Sequence, residues 1–269
     1  MAVGLLIDTT KCIGCNACAD ACKEANDLPR AVEPKLTART WTVVEARGDV
    51  YVRRMCMHCE DPSCASVCPV GALYKSEQGP VAYDESRCIG CRYCMVACPF
   101  GVPKYEWDTP LPRVRKCIGC LGRVQAGQQT ACAAACPTGA TLFGERDELL
   151  AEARRRLQAS PDDYVQHVYG EREVGGTNVL VLASVPFATL GFPGNLPDKE
   201  MPSLTWEALS KIPNVVSVGG VALLGLWWII HRRMTVERLE AESAAEAGAN
   251  DLAAADPPAD DCHDAGGRP

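Results

Sequence analysis

The sequence predicts an α+β fold in two parts, a cysteine-rich domain built by tandem repetition and then a single membrane-spanning helix. Three observations predict it. Seventeen of the 269 residues are cysteine, and sixteen of these lie between Cys12 and Cys136. They form four quartets whose surroundings also repeat: DTTKCIGC (8–15), DESRCIGC (84–91) and RKCIGC (115–120). Finally, Ile212 to Ile230 runs for 19 residues without a charge. At about 1.5 Å per residue such a helix reaches roughly 28 Å, close to the ~30 Å of a bilayer core.

Composition narrows the function. The length allows one large domain or two small ones. Aromatic residues are only 6%, so a bulky core is scarce, while the cysteine density points to disulfides, zinc or iron–sulfur clusters. The net charge of −7 sits mostly at the C-terminal end: from Arg232 onward there are 9 Asp and Glu against 4 Lys and Arg, leaving 25 against 23 before it. That distribution lacks the basic face of a nucleic-acid-binding protein, and no nucleic-acid partner is expected.

The elements follow in order. The opening MAVGLLIDTTKC has no basic n-region and only a short apolar patch, so it reads as a strand entering the first cysteine loop and not as a signal peptide. Cys12, Cys15, Cys18 and Cys22 form CxxCxxCxxxC, and Cys88, Cys91, Cys94 and Cys98 repeat that spacing. Cys56, Cys59, Cys64 and Cys68 form CxxCxxxxCxxxC. Cys117 and Cys120 are followed by Cys132 and Cys136 only after eleven intervening residues, LGRVQAGQQTA. VYVRRM (50–55) and VAYD (81–84) are short β-prone runs between the quartets. Pro69, Pro99 and Pro137 directly follow the last cysteine of quartets two to four. Proline lacks the N–H and restricts the residue before it, so each of these quartets is expected to end in a short helix stopped at Cys-Pro.

Beyond the cysteines, ERDELLAEARRRLQA (145–159) places Leu149, Leu150, Ala153 and Leu157 at helical spacing, as in an amphipathic helix packed on the domain. NVLVLASV (178–185) is expected to be a strand and GFPGNLPDKEMP (191–202) a proline-broken linker. The 19-residue apolar run carries Trp227 and Trp228 near one end, followed by His231, Arg232 and Arg233. Interfacial tryptophans and the positive-inside rule place that end in the cytoplasm, although Lys211 on the other side weakens the bias. The alternative is a buried core helix. His231 is expected to be an interfacial residue capping the helix, with a quinone- or haem-facing role as the other option. The expected organisation is a cysteine domain (1–145), an accessory helix, strand and linker packing on it (146–211), a transmembrane helix (212–233) and a disordered acidic tail (234–269). Cys262, in that tail, is expected to be a free thiol.

The quartet spacing suits a [4Fe–4S] cluster. A CxxCxxC loop wraps three corners of a compact core, and Gly14, Gly90 and Gly119 relieve crowding where the backbone turns close to the metal. The fourth ligand comes from elsewhere, since in two-cluster ferredoxins the last cysteine of such a run ligates the other cluster. Zinc sites more often use two CxxC pairs separated by a longer spacer. A disulfide framework would not repeat adjacent CxxC geometry four times, and a thioredoxin-type dithiol explains one CxxC only. The expectation is four [4Fe–4S] clusters in a tandem ferredoxin-like domain. Lys11, Arg87, Arg115 and Lys116 beside the cysteines are candidates to balance cluster charge, and His58 to tune or flank a cluster.

Four quartets with the fourth opened resemble the four-cluster iron–sulfur subunits of membrane-bound oxidoreductases: respiratory formate dehydrogenases, periplasmic nickel–iron hydrogenases and dimethyl sulfoxide reductase relatives. The resemblance covers residues 4 to 233. FGERDELLAEA (143–153), YGEREVGGTNVLVL (169–182) and VPFATLGFP (185–193), followed by one hydrophobic helix, look most like the formate dehydrogenase and hydrogenase branches. The resemblance implies crossed ligation. Cys12, Cys15 and Cys18 would share a cluster with Cys136, and Cys117, Cys120 and Cys132 one with Cys22. Cys56, Cys59 and Cys64 would share one with Cys98, and Cys88, Cys91 and Cys94 one with Cys68. Quartet one departs from the pattern by having Lys23 where the others have proline, which leaves ligation unaffected.

The resemblance further implies a non-catalytic electron relay. Its partners would be a catalytic subunit with a molybdopterin or tungstopterin centre, or a nickel–iron centre, and a membrane cytochrome b or similar quinone-reactive subunit. The helix would anchor the chain in the lipid bilayer, with the cluster domain periplasmic and the tail cytoplasmic. Export would follow a partner carrying a twin-arginine signal.

Overall fold

The computed structural model describes residues 2–31 and 33–253, so Cys262 and residues 254–269 lie outside the described residues. The chain divides into one unit up to Glu207 and a second from Ala208 onward.

The first unit opens with β1 (Val3–Asp8), whose residues from Leu5 on are all buried. A 3-10 turn, Thr9–Lys11, leads to the first cysteine and is capped by Asp8, which accepts from the Thr10 N–H at 3.1 Å. Helix α1 (Ala17–Ala25) carries Cys18 and Cys22. It runs on past Cys22 because Lys23, not proline, follows. Two strands, β2 (Val43–Arg47) and β3 (Val50–Arg54), form an antiparallel hairpin. The second quartet carries α2 (Ser63–Ser66), and the short hairpin β4 (Leu73–Lys75) and β5 (Val81–Tyr83) follows it.

A second 3-10 turn, Glu85–Arg87, is capped by Asp84 in the manner of Asp8: the Ser86 N–H donates to Asp84 at 2.9 Å. The sequence repeat DTTKC/DESRC is thus a structural repeat. After it come α3 (Tyr93–Ala97), the antiparallel pair β6 (Lys104–Tyr105) and β7 (Val114–Arg115), α4 (Leu121–Gln125) and α5 (Ala131–Ala134). Helix α3 stops at Cys98-Pro99, and α2 and α5 end just short of Cys68-Pro69 and Cys136-Pro137, as proline requires.

Strand β8 (Thr141–Glu145) returns antiparallel to β1, with Val3 opposite Glu145. Strand β9 (Val179–Leu182) pairs parallel to β1 on its other side, giving the order β8-β1-β9. Between them lies α6 (Arg146–Ala159), which buries Leu149, Ala153 and Leu157 against Leu6, Leu180 and Leu182 of this sheet. Because β1 pairs with β8, and α1 packs on α5, quartets one and four form an outer half-shell. Quartets two and three, with α2 packed on α3, are inserted within it. This mixed fold of short strands and helices is ferredoxin-like.

Residues 169–193 lie over the second quartet. The Asn178 N–H donates to the His58 carbonyl at 3.1 Å and the Val179 N–H to Met57 at 3.2 Å. Tyr169, Phe187 and Phe192 form a compact aromatic group, with Tyr169–Phe192 centroids 4.7 Å apart.

Helix α7 (Met201–Leu209) begins where a linker is expected, and the 42-residue α8 (Ile212–Ala253) follows. Pro213 sits in the first turn of α8, where its missing N–H costs nothing. Helix continues to Ala253, so residues 234–253 correct the expectation of a disordered tail. The run ERLEAESAAEA is rich in good helix formers, and the acidic composition that suggests disorder does not oppose helix. His231 consequently lies inside the helix and caps nothing; its ring stacks on Trp227, one turn earlier, at 5.1 Å. Residues 201–246 are long and apolar enough to cross a membrane. Val215, Val221 and Leu224 are 69%, 71% and 67% exposed, which is not the pattern of a buried core helix.

Candidate metal centre

The C-x-G-C loops shape the site. Gly14, Gly90 and Gly119 adopt left-handed backbone (φ 71°, 68° and 66°), and Asn16, Arg92 and Cys120 just beyond them do so as well (61°, 65° and 50°). That double turn bends the chain around a central space and launches α1, α3 and α4. A side chain at Gly119 would also strike Pro80, whose Cβ would lie 2.7 Å away.

The loops deliver the sixteen quartet cysteines as free thiols. Cys12, Cys15, Cys18 and Cys136 line one cavity. Cys22, Cys117, Cys120 and Cys132 line a second. Cys68, Cys88, Cys91 and Cys94 line a third. The last four are also close: Cys59 lies in the field of Cys56, Cys98 and Cys64. Each group draws three cysteines from one quartet and one from another. We call each ring by its first cysteine. Cys18 lies in the field of Cys132, while Cys117 shares an apolar cluster with Cys56 and Cys64 one with Cys94. The rings therefore follow one another in the order Cys12, Cys22, Cys56, Cys68.

The donor set fits a cluster better than a single ion. Among the described residues no three His, Cys, Asp or Glu side chains converge tightly enough to hold one metal ion. In three of the four groups the thiols instead stand around a shared cavity. Burial, reinforced by neighbouring cysteines, pushes several of them up, Cys22 and Cys64 to about 12 and Cys94 to about 11. Deprotonating such buried thiols is favoured by a cationic core among them, because metal supplies the compensating charge.

Two buried cations stand between the rings. Arg53, on β3, is only 4% exposed and lies in the field of Cys132, Cys18, Cys117 and Cys22, members of two rings. It donates to Thr141 Oγ1 on β8 at 2.9 Å and to Cys132 Sγ at 3.5 Å, and its Nε is unpartnered. Among the described residues it has no carboxylate partner, and the ionisable groups in its field are these cysteine sulfurs. Lys116, 2% exposed, donates to the Val81 carbonyl at 2.6 Å and the Cys117 carbonyl at 2.8 Å, and its charge reaches Cys64.

Of the four cations expected to balance cluster charge, Lys116 alone is buried among the thiols. Arg115 is committed to Glu85 and Glu106, Arg87 to Asp84 at 3.3 Å, and Lys11 is exposed. The Arg113 and Arg115 guanidiniums hold Glu85 below the usual carboxylate range. Arg53 escapes sequence reading because nothing in VYVRRM distinguishes it from its neighbour Arg54, whose guanidinium lies over Phe192 at 4.3 Å. Its one signal is a charge in a strand between two cysteine repeats.

His58 is 4% exposed and occupies, in C-x-H-C, the position that glycine holds in the other three loops. Its Nδ1 accepts the Val81 N–H at 2.9 Å, so the ring proton is assigned to Nε2, which faces Cys117 Sγ at 3.5 Å. Burial, with Lys116 and Lys75 nearby, keeps its pKa well below the ordinary histidine value, and the ring is neutral.

Asp8, fully buried, holds the outer half-shell to α6. Its carboxylate accepts from Arg156 at 2.8 Å, Tyr164 at 2.9 Å and Thr10 Oγ1 at 2.6 Å.

Comparison with known proteins agrees with this geometry. Residues 11–72 and 49–146 each match a family model described as a 4Fe-4S dicluster domain. A Nitratidesulfovibrio vulgaris protein, given no more specific name than protein, is 41% identical over 276 residues, covering 96% of this chain and 74% of its own. The hydrogenase-2 operon protein HybA of Escherichia coli O157:H7 is 38% identical over 238 residues, covering 71% of this chain and 73% of its own. The iron–sulfur subunit of the nitrate-inducible formate dehydrogenase of Escherichia coli K12 is 39% identical over 198 residues, covering 66% and 67%. The chain thus carries [4Fe–4S] clusters and belongs to the iron–sulfur subunit family of respiratory oxidoreductases.

Proposed function

We propose that this chain is an electron-transfer subunit that relays electrons through four [4Fe–4S] clusters, from a formate dehydrogenase-like catalytic subunit to a membrane cytochrome b or other quinone-reactive partner. The observation that carries it is the linear succession of four cysteine rings, each completed by a cysteine from a different quartet. When bound, each cluster accepts and passes on one electron. The ligand sets are the rings themselves: Cys12, Cys15, Cys18 with Cys136; Cys117, Cys120, Cys132 with Cys22; Cys56, Cys59, Cys64 with Cys98; Cys88, Cys91, Cys94 with Cys68. The chain's residues hold the clusters in a row, exclude water from the two central rings and supply fixed cations between them.

The two terminal rings open toward the surface. Cys15 is exposed, with Ile13 (60% exposed) beside it, while Ile89 (65%) and Tyr93 (61%) flank the Cys68 ring. Apolar side chains at both ends suit docking of the two partner subunits. The chain itself is non-catalytic. The apolar part of α8 anchors it in the bilayer, the cluster domain lies in the periplasm and the C-terminal end in the cytoplasm. The cluster domain comprises residues 1–145, with 146–211 as its accessory cover.

A second reading attaches the same relay to a membrane-bound nickel–iron hydrogenase. It is favoured by the likeness to HybA, which aligns over 238 residues.

Metal analysis of the purified complex tests the relay. It should give about 16 iron and 16 acid-labile sulfide per chain, four of each for every [4Fe–4S] cluster. A colourless protein holding about four zinc ions would overturn the reading. The co-purifying large subunit decides between the two readings: a pterin enzyme supports the first, a nickel–iron enzyme the second.

A further inference from the structure

His58 joins the inserted half of the domain to the outer half. It belongs to the second-quartet loop, between Cys56 and Cys59, yet its Nε2 faces Cys117 of the neighbouring ring at 3.5 Å. The surroundings leave the imidazole one pose. The Val81 N–H fixes Nδ1 at 2.9 Å, and Gly119, in the Cys117 loop, gives the ring its space: a Cβ there would stand 3.2 Å from His58 Cε1.

The backbone sharpens the point. His58 has φ 50°, the left-handed conformation that Gly14, Gly90 and Gly119 supply at the equivalent place in the other loops. Three repeats use the residue that adopts this turn freely, and the fourth holds a bulky side chain there against strain. Strain kept where its relief is one substitution away points to a functional reason for the side chain. The chemistry on hand is a hydrogen bond. Nε2 carries a proton, and Cys117 Sγ is a thiolate once it ligates iron. Donors to cluster sulfur draw off negative charge and favour the reduced state.

We propose that His58 is a positioning residue for the central electron hop: its Nε2–H holds Cys117 Sγ and raises the reduction potential of the cluster in the Cys22 ring. This inference rests on the reading of the rings as [4Fe–4S] sites. It sets the junction between the two halves through a residue borrowed from the other half.

The test is an EPR-monitored redox titration of the purified complex carrying His58→Gly, which gives the loop the glycine of its sister loops. Cys22→Ser identifies the signal of the Cys22 ring as the one it abolishes. In H58G that midpoint should shift negative by about fivefold in the one-electron equilibrium, about 40 mV at 59 mV per decade, and the other three should stay in place. His58→Asn, which tolerates left-handed backbone but is too short to reach Cys117, should shift the same midpoint in the same direction. Full iron with four unmoved midpoints overturns the proposal, as does a shift confined to another ring. If both variants lose iron, His58 is structural and the proposal also fails. Absence of iron from the wild-type complex would instead overturn the reading of the rings.

Discussion

Replacing Arg53 by glutamine should lower the potentials of two clusters at once. The guanidinium is permanently charged, buried, and without a carboxylate partner among the described residues. Its Nη2 comes within 3.5 Å of Cys132 Sγ, and it lies in the field of thiols from both the Cys12 and Cys22 rings. An electron arriving at either cluster spreads over the iron–sulfur core, so we take an effective separation of about 8 Å. At an effective dielectric of about 20, one unit charge at that distance contributes roughly 2 kcal/mol to the reduced state. At about 1.4 kcal/mol and 59 mV per decade, this is on the order of 90 mV. Glutamine retains a donor for Thr141 and removes the charge. The assay is again the EPR-monitored titration of the complex, and Arg53→Lys serves as the control that keeps the cation. R53Q should move two midpoints negative and leave the Cys56 and Cys68 rings in place, while R53K stays near wild type. A shift below about 20 mV in both, or an equal shift of all four, would refute a local shared counter-charge.

Other consequences are more direct. Cys22→Ser should damage the cluster of the fourth quartet while the EPR signal of the Cys12 ring persists; loss of the latter alone would contradict crossed ligation. Asp8→Ala breaks a buried ion pair and leaves Arg156 with Glu152 as its carboxylate partner among the described residues. The cost should be about 3 kcal/mol, the low end for such pairs, seen as faster bleaching of the visible absorbance of the complex in guanidinium. Unchanged bleaching would show that Asp8 does not pin α6 to β1. Glu152 is held down to about 2 by hydrogen bonds from Arg155 and Arg156. A depressed carboxylate contributes stability fully present above its unfolded pKa of about 4.3 and lost as pH falls through its folded value. The hydrogen-exchange protection of α6 in wild type over Glu152→Gln should therefore be largest near neutrality and shrink on acidification. A gap that does not vary with pH would remove Glu152 from that account.

Much of the site was legible because metal-binding loops are local. The C-x-G-C turns, the Cys-Pro stops and the amphipathic stripe at Leu149, Ala153 and Leu157 each depend on a few adjacent residues, and the structure has them where periodicity and spacing place them. Which quartet lends its last cysteine to which ring is a long-range fact. Spacing cannot supply it, and only the family resemblance pointed to Cys22 beside Cys117 and Cys136 beside Cys12. The electrostatics were least legible. Four cations adjacent to cysteines in sequence drew attention, yet three are exposed or spent on Glu85, Glu106 and Asp84. Arg53 is remote in sequence from the four cysteines whose field it shares, and it reaches them because β3 packs against the first cysteine turn. The helical run to Ala253 was missed because an acidic, alanine-rich stretch satisfies two descriptions. High charge suits disorder, and the same Ala and Glu residues favour helix when they continue one already formed.

The pairing of β1 with β8 also imposes an order on biosynthesis. Cys22 leaves the ribosome roughly a hundred residues ahead of Cys132 and Cys136. At about 5 to 20 residues per second the N-terminal loop waits on the order of 5 to 20 seconds for its partners. The second and third quartets are complete by Cys98, and their helices and hairpins need no strand from either terminus. The inserted half can therefore close while the outer half is still open, with the four cysteines Cys12, Cys15, Cys18 and Cys22 unable to finish a ring. In that state the first four thiols wait without their partners in the reducing cytosol, and an outer ring can be filled only after Cys132 and Cys136 have been made.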